Sequence, residues 1–424
     1  MTEKEGRPIV INMSVSLVVL ILVFLGIALR QLFRLPLKIW QIMGIGAAIV
    51  LFTGRITVLS AWMAIDWDIV FFLFGMFYVG TALEESGYIH EIVSRYLLEG
   101  CSQKTLAFVI VFGMGIFSAL LMNDTLAIVG TPLLIKVAYH RRIQTSPLLI
   151  GLAFAITIGS VMSPIGNPQN LLIALEVPIE SPFVTFLKYL GVPTLINLVL
   201  LYFFLLYLMR KEETYHHEIK ETAPYNKRLM VLSKIAIGMV IVMIGYNILA
   251  SFFPIYPIPL PGIALIPALF LMIFGPKRKE ILSLLDWHTL IFFIAMFILM
   301  RSVWETSSVK DILIHPGPFM KSIPGVMAVS ALASQLISNV PLVALYLPTI
   351  KQLGSSIPTY MALVAGSTVA GNFLIFGAAS NLIIIQNAEK RGDIGMTFGA
   401  FAKVGIPFTI INILIYWIFL THVV

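Results

Sequence analysis

Four asparagines, Asn123, Asn170, Asn339 and Asn381, stand at matched places in the two halves of the chain. An amide side chain offers one carbonyl acceptor and two N–H donors, so it serves a cation and a polar solute alike without a permanent charge. Beside Asn123 lies Asp124, a lone carboxylate in the middle of an apolar stretch. Such a group costs several kcal/mol at membrane depth unless it is paired, hydrated or protonated. Its chemistry is that of a coupling group that binds H⁺ or Na⁺. The alternative is a helix N-cap, for which Asp is well suited, and the two roles are compatible. An ionised Asp124 repels an anion at the same place and favours a neutral solute, a cation, or compensation by a bound ion. Asn123-Asp124-Thr125 also matches a glycosylation sequon, which a membrane-buried segment cannot use.

These residues need backbone that departs from a plain helix. Stretch 105–138 holds 34 residues, roughly 51 Å of helix at 1.5 Å per residue. That is too long for one crossing of a ~30 Å hydrocarbon core and short for two. A re-entrant hairpin with Asn123 and Asp124 at its tip fits the length. Stretch 324–352 fits the same scheme, with Ser338, Asn339, Val340 and Pro341 at the tip. Pro341 lacks an N–H and suits the first turn of the returning arm. The competing reading of each stretch is a long tilted helix with buried polar residues.

Stretches 147–177 and 358–387 read as broken helices. In the first, Ser163-Pro164-Ile165-Gly166-Asn167-Pro168-Gln169-Asn170 interrupts an apolar run, and two prolines and a glycine open its backbone hydrogen bonds. Its counterpart is Gly377-Ala378-Ala379-Ser380-Asn381. Unwound backbone at membrane depth survives only when buried in protein or lining a polar cavity. Freed carbonyls there ligate a cation, and freed N–H groups at the next helix start hold a polar ligand.

The halves match in three blocks. Asp66-Trp67 and Asp286-Trp287 open stretches that align at an offset of 220; residues 118–132 pair with 334–348 at 216, and 166–173 with 377–384 at 211. Three blocks in one order argue for duplication. The division is 1–209 as a first repeat, 210–228 as a cytoplasmic linker and 229–424 as a second repeat. Each half holds five crossings, and an odd number inverts the second copy, as in many secondary transporters.

Composition sets the environment. Of 424 residues, 59% are hydrophobic and 12% charged, about half the charge of a soluble domain. That excludes a soluble enzyme and a disordered chain. Further apolar runs lie at 9–29, 37–53, 68–86, 183–209, 229–251, 261–275, 288–306 and 403–423. The net charge of +7 sits in short Lys/Arg clusters between these runs and reads as an orientation signal rather than a nucleic-acid surface. Placing Arg210, Lys211, Lys220, Lys227, Arg228 and Lys234 inside puts the uncharged loop 252–260 outside. The expected fold is an all-α polytopic membrane protein with an inverted-topology repeat, two re-entrant hairpins, two broken helices and about ten crossing segments. Both termini are expected outside the cytoplasmic membrane. The single Cys101 rules out an internal disulfide framework, and no catalytic triad or nucleotide loop is legible, so an enzyme is not expected. A channel would need a continuous polar path, whereas the polar groups cluster at one depth. Lys136, Lys351, Glu84, Glu85 and Arg301 read as span-end residues, with an anion contact as a second reading of Arg301.

These motifs, in this order, resemble the ion transporter superfamily of citrate and dicarboxylate symporters, arsenite permeases and some sodium/proton antiporters. Gly166-Asn167-Pro168-Gln169-Asn170 is close to the Gly-Thr-Pro-x-Asn pattern of the dicarboxylate branch, while Gly377-Ala378-Ala379-Ser380-Asn381 keeps its Gly and Asn. Tip Ser338-Asn339-Val340 keeps Ser-Asn of Ser-Asn-Thr, and Asn123-Asp124 looks like the Asn-Asp of arsenite permeases. The resemblance implies a substrate and ion site of Asn123, Asp124, Thr125, Gly166, Asn167 and Asn170 in one lobe. Ser338, Asn339, Gly377, Ser380 and Asn381 form the other. A Na⁺ ion would be held through Asn123, Asp124, Gly166, Asn170, Asn339 and Asn381. It implies no cofactor beyond a coupling Na⁺ or H⁺, a small-molecule or ion substrate, the lipid bilayer as surroundings, no nucleic acid, and a dimerising scaffold that makes a homodimer. The expected activity is ion-coupled transport of a small anion or oxyanion-like solute of di/tricarboxylate type. Arsenite or antimonite efflux and sodium/proton exchange are the alternatives.

Overall fold

The computed structural model describes residues 15–33, 37–88, 91, 101–210, 226–305, 318–375, 377–389, 391 and 396–423. Among them every regular element is helical. Residues 9–14 of the first apolar run and 211–225 of the expected linker lie outside the described residues.

Among the described residues, nine helices precede residue 210: α1 Val15–Phe33, α2 Ile39–Phe52, α3 Val58–Ala64, α4 Trp67–Glu85, α5 Gln103–Leu121, α6 Asn123–Arg141, α7 Thr145–Ser160, α8 Pro168–Glu176 and α9 Pro182–Leu208. Nine follow: α10 Lys227–Ala250, α11 Leu260–Phe274, α12 Arg278–Leu284, α13 Trp287–Trp304, α14 Ile323–Ile337, α15 Asn339–Gln352, α16 Ile357–Val369, α17 Ala379–Glu389 and α18 Phe398–His422. The two series run in the same order of long, short and broken helices.

Local chemistry fixes many of the starts. Thr57, Ser102, Asn226, Ser322 and Thr397 each accept a hydrogen bond from the backbone N–H three residues on, opening α3, α5, α10, α14 and α18. Trp67 and Trp287 begin α4 and α13, where the Asp-Trp pairs mark span entrances. α4, α5, α9, α10, α13 and α18 are each long and apolar enough to cross a membrane. Phe203, Val242 and Ile418 lie exposed on such faces, as befits side chains that meet lipid.

The chain forms two compact units. One comprises residues 1–66 and 288–317 and holds α1 to α3 and nearly all of α13. In it α1 packs on α2, with Gly46 in contact with Val23 and Leu299. The other comprises residues 67–287 and 318–424 and holds every hairpin and break. Its core joins α4 to α11, α5 and α6 to α7, and α14 to α16. Gly159 of α7 lies directly on the backbone of Gly115 in α5, the close small-residue crossing by which membrane helices associate.

Both hairpins are present as helix, one residue, helix. Met122 joins α5 to α6 with φ 70° and ψ 146°, and Ser338 joins α14 to α15 with φ 71° and ψ 158°. The two residues are 216 positions apart, the offset of their sequence blocks. Pro132 and Pro348 then fall at the same place within the returning arms. The arms of the first hairpin have 19 residues each, longer than a half-depth excursion requires. α5 starts at Gln103 and α6 runs on to Arg141, because helix continues through polar residues that an apolar run cannot include.

Candidate functional site

The first lobe is built where the tip of α5–α6 meets the break between α7 and α8. Asn123, Asp124 and Thr125 form the first turn of α6 and are buried. The N-cap position belongs to Met122, so Asp124 is the second helical residue and not the cap. There its charge still faces the positive end of the helix. The Asn123 N–H, which has no partner within its own helix, donates to the Gly166 carbonyl at 2.9 Å. Thr125 is turned elsewhere: its methyl lies against Gly80 of α4, and its hydroxyl has no protein partner.

The break itself runs from Val161 to Asn167, between α7 and α8. Gly166 has to be glycine, since a Cβ there would collide with the Ser160 carbonyl. Pro168 is the first residue of α8, and Asn167 caps it by accepting from the Asn170 N–H at 2.9 Å. Asn170 Nδ2 gathers the freed carbonyls of Ser160 and Ser163 at 3.0 Å each and Val161 at 3.4 Å. A residue from the other half completes this network. Thr368 of α16 accepts from Asn167 Nδ2 and Gln169 Nε2, both at 3.3 Å, and donates to Asn170 Oδ1 at 3.1 Å.

The second lobe is built by α14–α15 and the break between α16 and α17. Asn339 is the first residue of α15, and Ser380 and Asn381 begin α17. α16 ends at Val369 and passes through a short 3₁₀ turn, Ala370–Asn372. This break therefore opens well before Gly377. Asn381 Nδ2 donates to the Gly371 carbonyl at 2.8 Å. A Cβ on Gly371 would lie 2.8 Å from the Ala378 Cβ and 3.6 Å from both Asn339 Nδ2 and the Thr157 methyl. Tip, break and a threonine of α7 thus meet at one point. Thr157 and Thr368 are 211 positions apart, the offset of the two breaks, so each half lends one threonine to the break of the other.

The lobes are also joined by helices, since α6 packs on α17 and α8 on α15. Lys351 and Glu176, at the ends of α15 and α8, pair at 2.9 Å near the surface, where such a bridge contributes little. Lys277 pairs with Glu85 at 3.9 Å, and Arg301 with Glu305 at 2.9 Å on an exposed face. Among the described residues no three His, Cys, Asp or Glu gather to hold a transition metal. Among the described residues the buried side-chain oxygens without a protein partner are amides and hydroxyls. Asn123 Oδ1 lies in the first lobe, and Thr157 Oγ1, Asn339 Oδ1, Asn372 Oδ1, Ser380 Oγ and Asn381 Oδ1 in the second, while others such as Ser16 Oγ, Tyr78 Oη, Thr349 Oγ1, Thr409 Oγ1 and Asn412 Oδ1 lie apart from them. Hard cations prefer such oxygen donors.

The sequence reading missed Thr157, Thr368, Gln335 and Asn372. The two threonines sit at equivalent offsets, a signal visible once the blocks are aligned. Asn372 follows a glycine eight residues after Val364, within a run that otherwise reads as helix. Gln335, on the arm before Ser338, donates to the Ala370 carbonyl at 2.7 Å. Neither has a counterpart in the first half, where Val161 and Ala119 stand.

Known proteins place this architecture. A 46 kDa membrane protein of Mycobacterium leprae is 26% identical over 378 residues, covering 84% of this chain and 86% of that protein. The inner membrane protein YbiR of Escherichia coli is 27% identical over 329 residues, 77% of this chain and 82% of its own length. The crystal structure of the Alcanivorax borkumensis YdaH transporter covers 85% of this chain and 86% of its own, with TM-score 0.55 at 13% identity, a likeness of fold. The family profile described as citrate transporter matches residues 9–99 and 90–359. The chain is a multi-pass membrane transporter and belongs to the citrate transporter family.

Proposed function

We propose that this transporter works as an ion-coupled secondary carrier for a small oxyanion-like solute, with solute and coupling ion held where the hairpin tips meet the helix breaks. The observation that carries the reading is the set of unpartnered amide and hydroxyl oxygens at both tips and at the second break. Buried polar groups are mostly paired in folded proteins, and the gathering of several unpartnered oxygens at these tips and this break supports a ligand there. Na⁺ fits the oxygen donors of Asn123, Asn339 and Asn381. The inverted repeat supplies two lobes that alternate in exposure, in the cytoplasmic membrane with both termini outside, as a homodimer.

Counterflow in proteoliposomes tests it. Purified full-length protein preloaded with one solute exchanges labelled solute from outside, and Asn123→Ala or Asn339→Ala reduces the exchange at least ~tenfold, the effect of losing one good ligand contact. Large unitary currents without counterflow defeat the reading.

Asp124 favours a second reading, in which the chain exchanges an arsenite-like solute or Na⁺ against H⁺. It is the sole acid between Gln103 and Arg141 and lies buried at the first tip. Asp124→Asn is expected to abolish the response of uptake to an imposed Na⁺ or pH gradient while the protein still folds. Gradient-driven uptake left unchanged removes Asp124 from the coupling step.

A further inference from the structure

A cavity of about 570 Å³ opens beside the turn from α11 to α12, lined by Arg228, Phe274, Lys277, Arg278, Lys279 and Glu280. Its size falls within the ~300–1,000 Å³ of small-ligand sites, and it belongs to neither hairpin nor break. α10 and α11 run antiparallel and are pinned at both ends. Asn247 exchanges two hydrogen bonds of 2.8 Å with Ile258 at one end, and Arg228 Nη2 donates to the Phe274 carbonyl at 3.3 Å at the other. The start of α10 and the end of α11 therefore wall the cavity together.

The charges there are positioned rather than cancelled. Arg278 donates to the Gly275 carbonyl through Nε at 3.0 Å and to the Ile273 carbonyl through Nη2 at 2.6 Å. Both arginines thus finish the last carbonyls of α11, which fixes their guanidinium groups at the helix end. A guanidinium has five N–H donors, so each keeps donors to spare. Lys277 lies between two carboxylates, Glu280 at 3.0 Å and Glu85 at 3.9 Å. The Lys279 ammonium has no ion pair among the described residues. Four cations thus face two carboxylates.

Two apolar stripes lead to the same place. Ile266, Leu269 and Ile273 lie exposed along one face of α11, and Val231, Ile235 and Val242 along the face of α10 that Arg228 heads. Spacings of three, four and seven residues keep each set on one side of its helix. A soluble anion has no use for such an approach, whereas an acyl chain does. The equivalent short helix of the first half, α3, begins 220 positions before α12. It has Thr57, Val58, Leu59 and Ser60 where Lys277, Arg278, Lys279 and Glu280 stand. The charge is particular to this corner and is not a property of the repeat.

From this juxtaposition of fixed cations with the heads of two apolar stripes, we infer that the cavity holds the phosphate of an acidic phospholipid whose acyl chains lie along α10 and α11. Arg228 and Arg278 offer forked N–H donors to the phosphate oxygens, and Lys279 adds a point charge. The bound headgroup ties the start of α10 to α12 and so stabilises the unit that carries the hairpins. The site is separate from the solute site and stands whether or not the carrier reading holds.

Thermal shift of purified full-length protein in neutral detergent micelles tests it, with phosphatidylglycerol, phosphatidylcholine or glycerol 3-phosphate added. A ligand that binds the native state raises the unfolding midpoint. Phosphatidylglycerol is expected to raise it saturably, with phosphatidylcholine and glycerol 3-phosphate inert at the same concentrations. Lys279→Gln is expected to raise the half-saturating lipid concentration about fivefold, and Arg228→Gln with Lys279→Gln about 25-fold, one cation at a lipid surface accounting for each factor. Lys403→Gln, a cation lost at the start of α18, is expected to change it less than about twofold. Lys279→Gln breaks no ion pair, so it carries the test alone if the double variant does not fold. Equal stabilisation by phosphatidylcholine overturns the inference, as does an equal loss in Lys403→Gln, the mark of diffuse attraction to a charged surface. Glycerol 3-phosphate as effective as the lipid overturns it too, because the cavity then takes a soluble anion.

Discussion

Met122 and Ser338 occupy a backbone region that is nearly reserved for glycine, at a cost of about 1–3 kcal/mol each. Both reversals are made by single residues, and the side chain that follows each is an asparagine of the site. The strain is therefore invested in aiming Asn123 and Asn339. Ser338→Gly is expected to relieve it and stabilise the protein by about 1 kcal/mol, read as a raised unfolding midpoint, whereas Ser338→Val lowers it. Neither conformation is legible in the sequence, because Met and Ser carry no signal for positive φ. The identity of the tips was legible all the same, since polar residues in the middle of long apolar stretches are costly in lipid unless they meet a partner or a ligand. Thr125 shows the limit of that logic. It adjoins Asp124 in sequence, yet the helical turn sends it towards Gly80.

Among elements, the pair of equivalent threonines gives a direct comparison. Thr368→Val leaves Gln169 Nε2 and Asn170 Oδ1 without a protein partner, while Asn167 Nδ2 keeps Ser160 Oγ at 3.1 Å, and is expected to cost about 2–4 kcal/mol of stability. Thr157→Val removes a hydroxyl without a protein partner and keeps the shape, so it costs under about 1 kcal/mol. Unfolding midpoints of the two variants check the contrast, and equal losses refute it. A second polar link joins α9 to α18. Asn412 Nδ2 donates to Asn197 Oδ1 at 2.9 Å, and Thr194 and Tyr416 hydroxyls meet at 2.6 Å, all fully buried. Asn197 and Asn412 are 215 positions apart, so this bond joins equivalent residues. Asn197→Leu and Asn412→Leu are each expected to destabilise by about 1–3 kcal/mol, while the double variant falls well short of the sum. A double-mutant cycle of midpoints measures the coupling. Sequence periodicity found α9 and α18 readily, but these residues lie inside runs that are apolar on average, and only an alignment of the halves exposes them. The first break was legible through Pro164, Gly166 and Pro168. The second has no proline, and its early opening at Ala370 is set by contacts from Gln335 that no local pattern reveals.

For the whole molecule, composition and charge were the most legible features, since both follow from what lipid excludes. The chain's sole cysteine, Cys101, makes the topology testable after Cys101→Ser. Tyr256→Cys, in the exposed loop after α10, is expected to react with a membrane-impermeant maleimide added outside intact cells. Lys279→Cys, at the start of α12, reacts only after the membrane is opened. The reverse pattern inverts the proposed orientation. Which helices gather into which unit was not legible, because α13 joins α1 to α3 across more than 200 residues of sequence.

The exchange of threonines between the halves bears on how such a chain can be divided. A cut between α9 and α10 yields two fragments, each carrying a break whose finishing residue resides on the other. Neither fragment can complete its own polar network alone, and two copies of one fragment would restore only the kind of brace that its own threonine allows. Two copies of the second half would meet through Thr368 and two of the first through Thr157, but the unlike breaks, one closed by Thr368 and one with unpartnered polar groups, exist only in the joined chain. Asn372 and Gln335, which face Val161 and Ala119 at the matched positions of the first half, are what make the two breaks unlike.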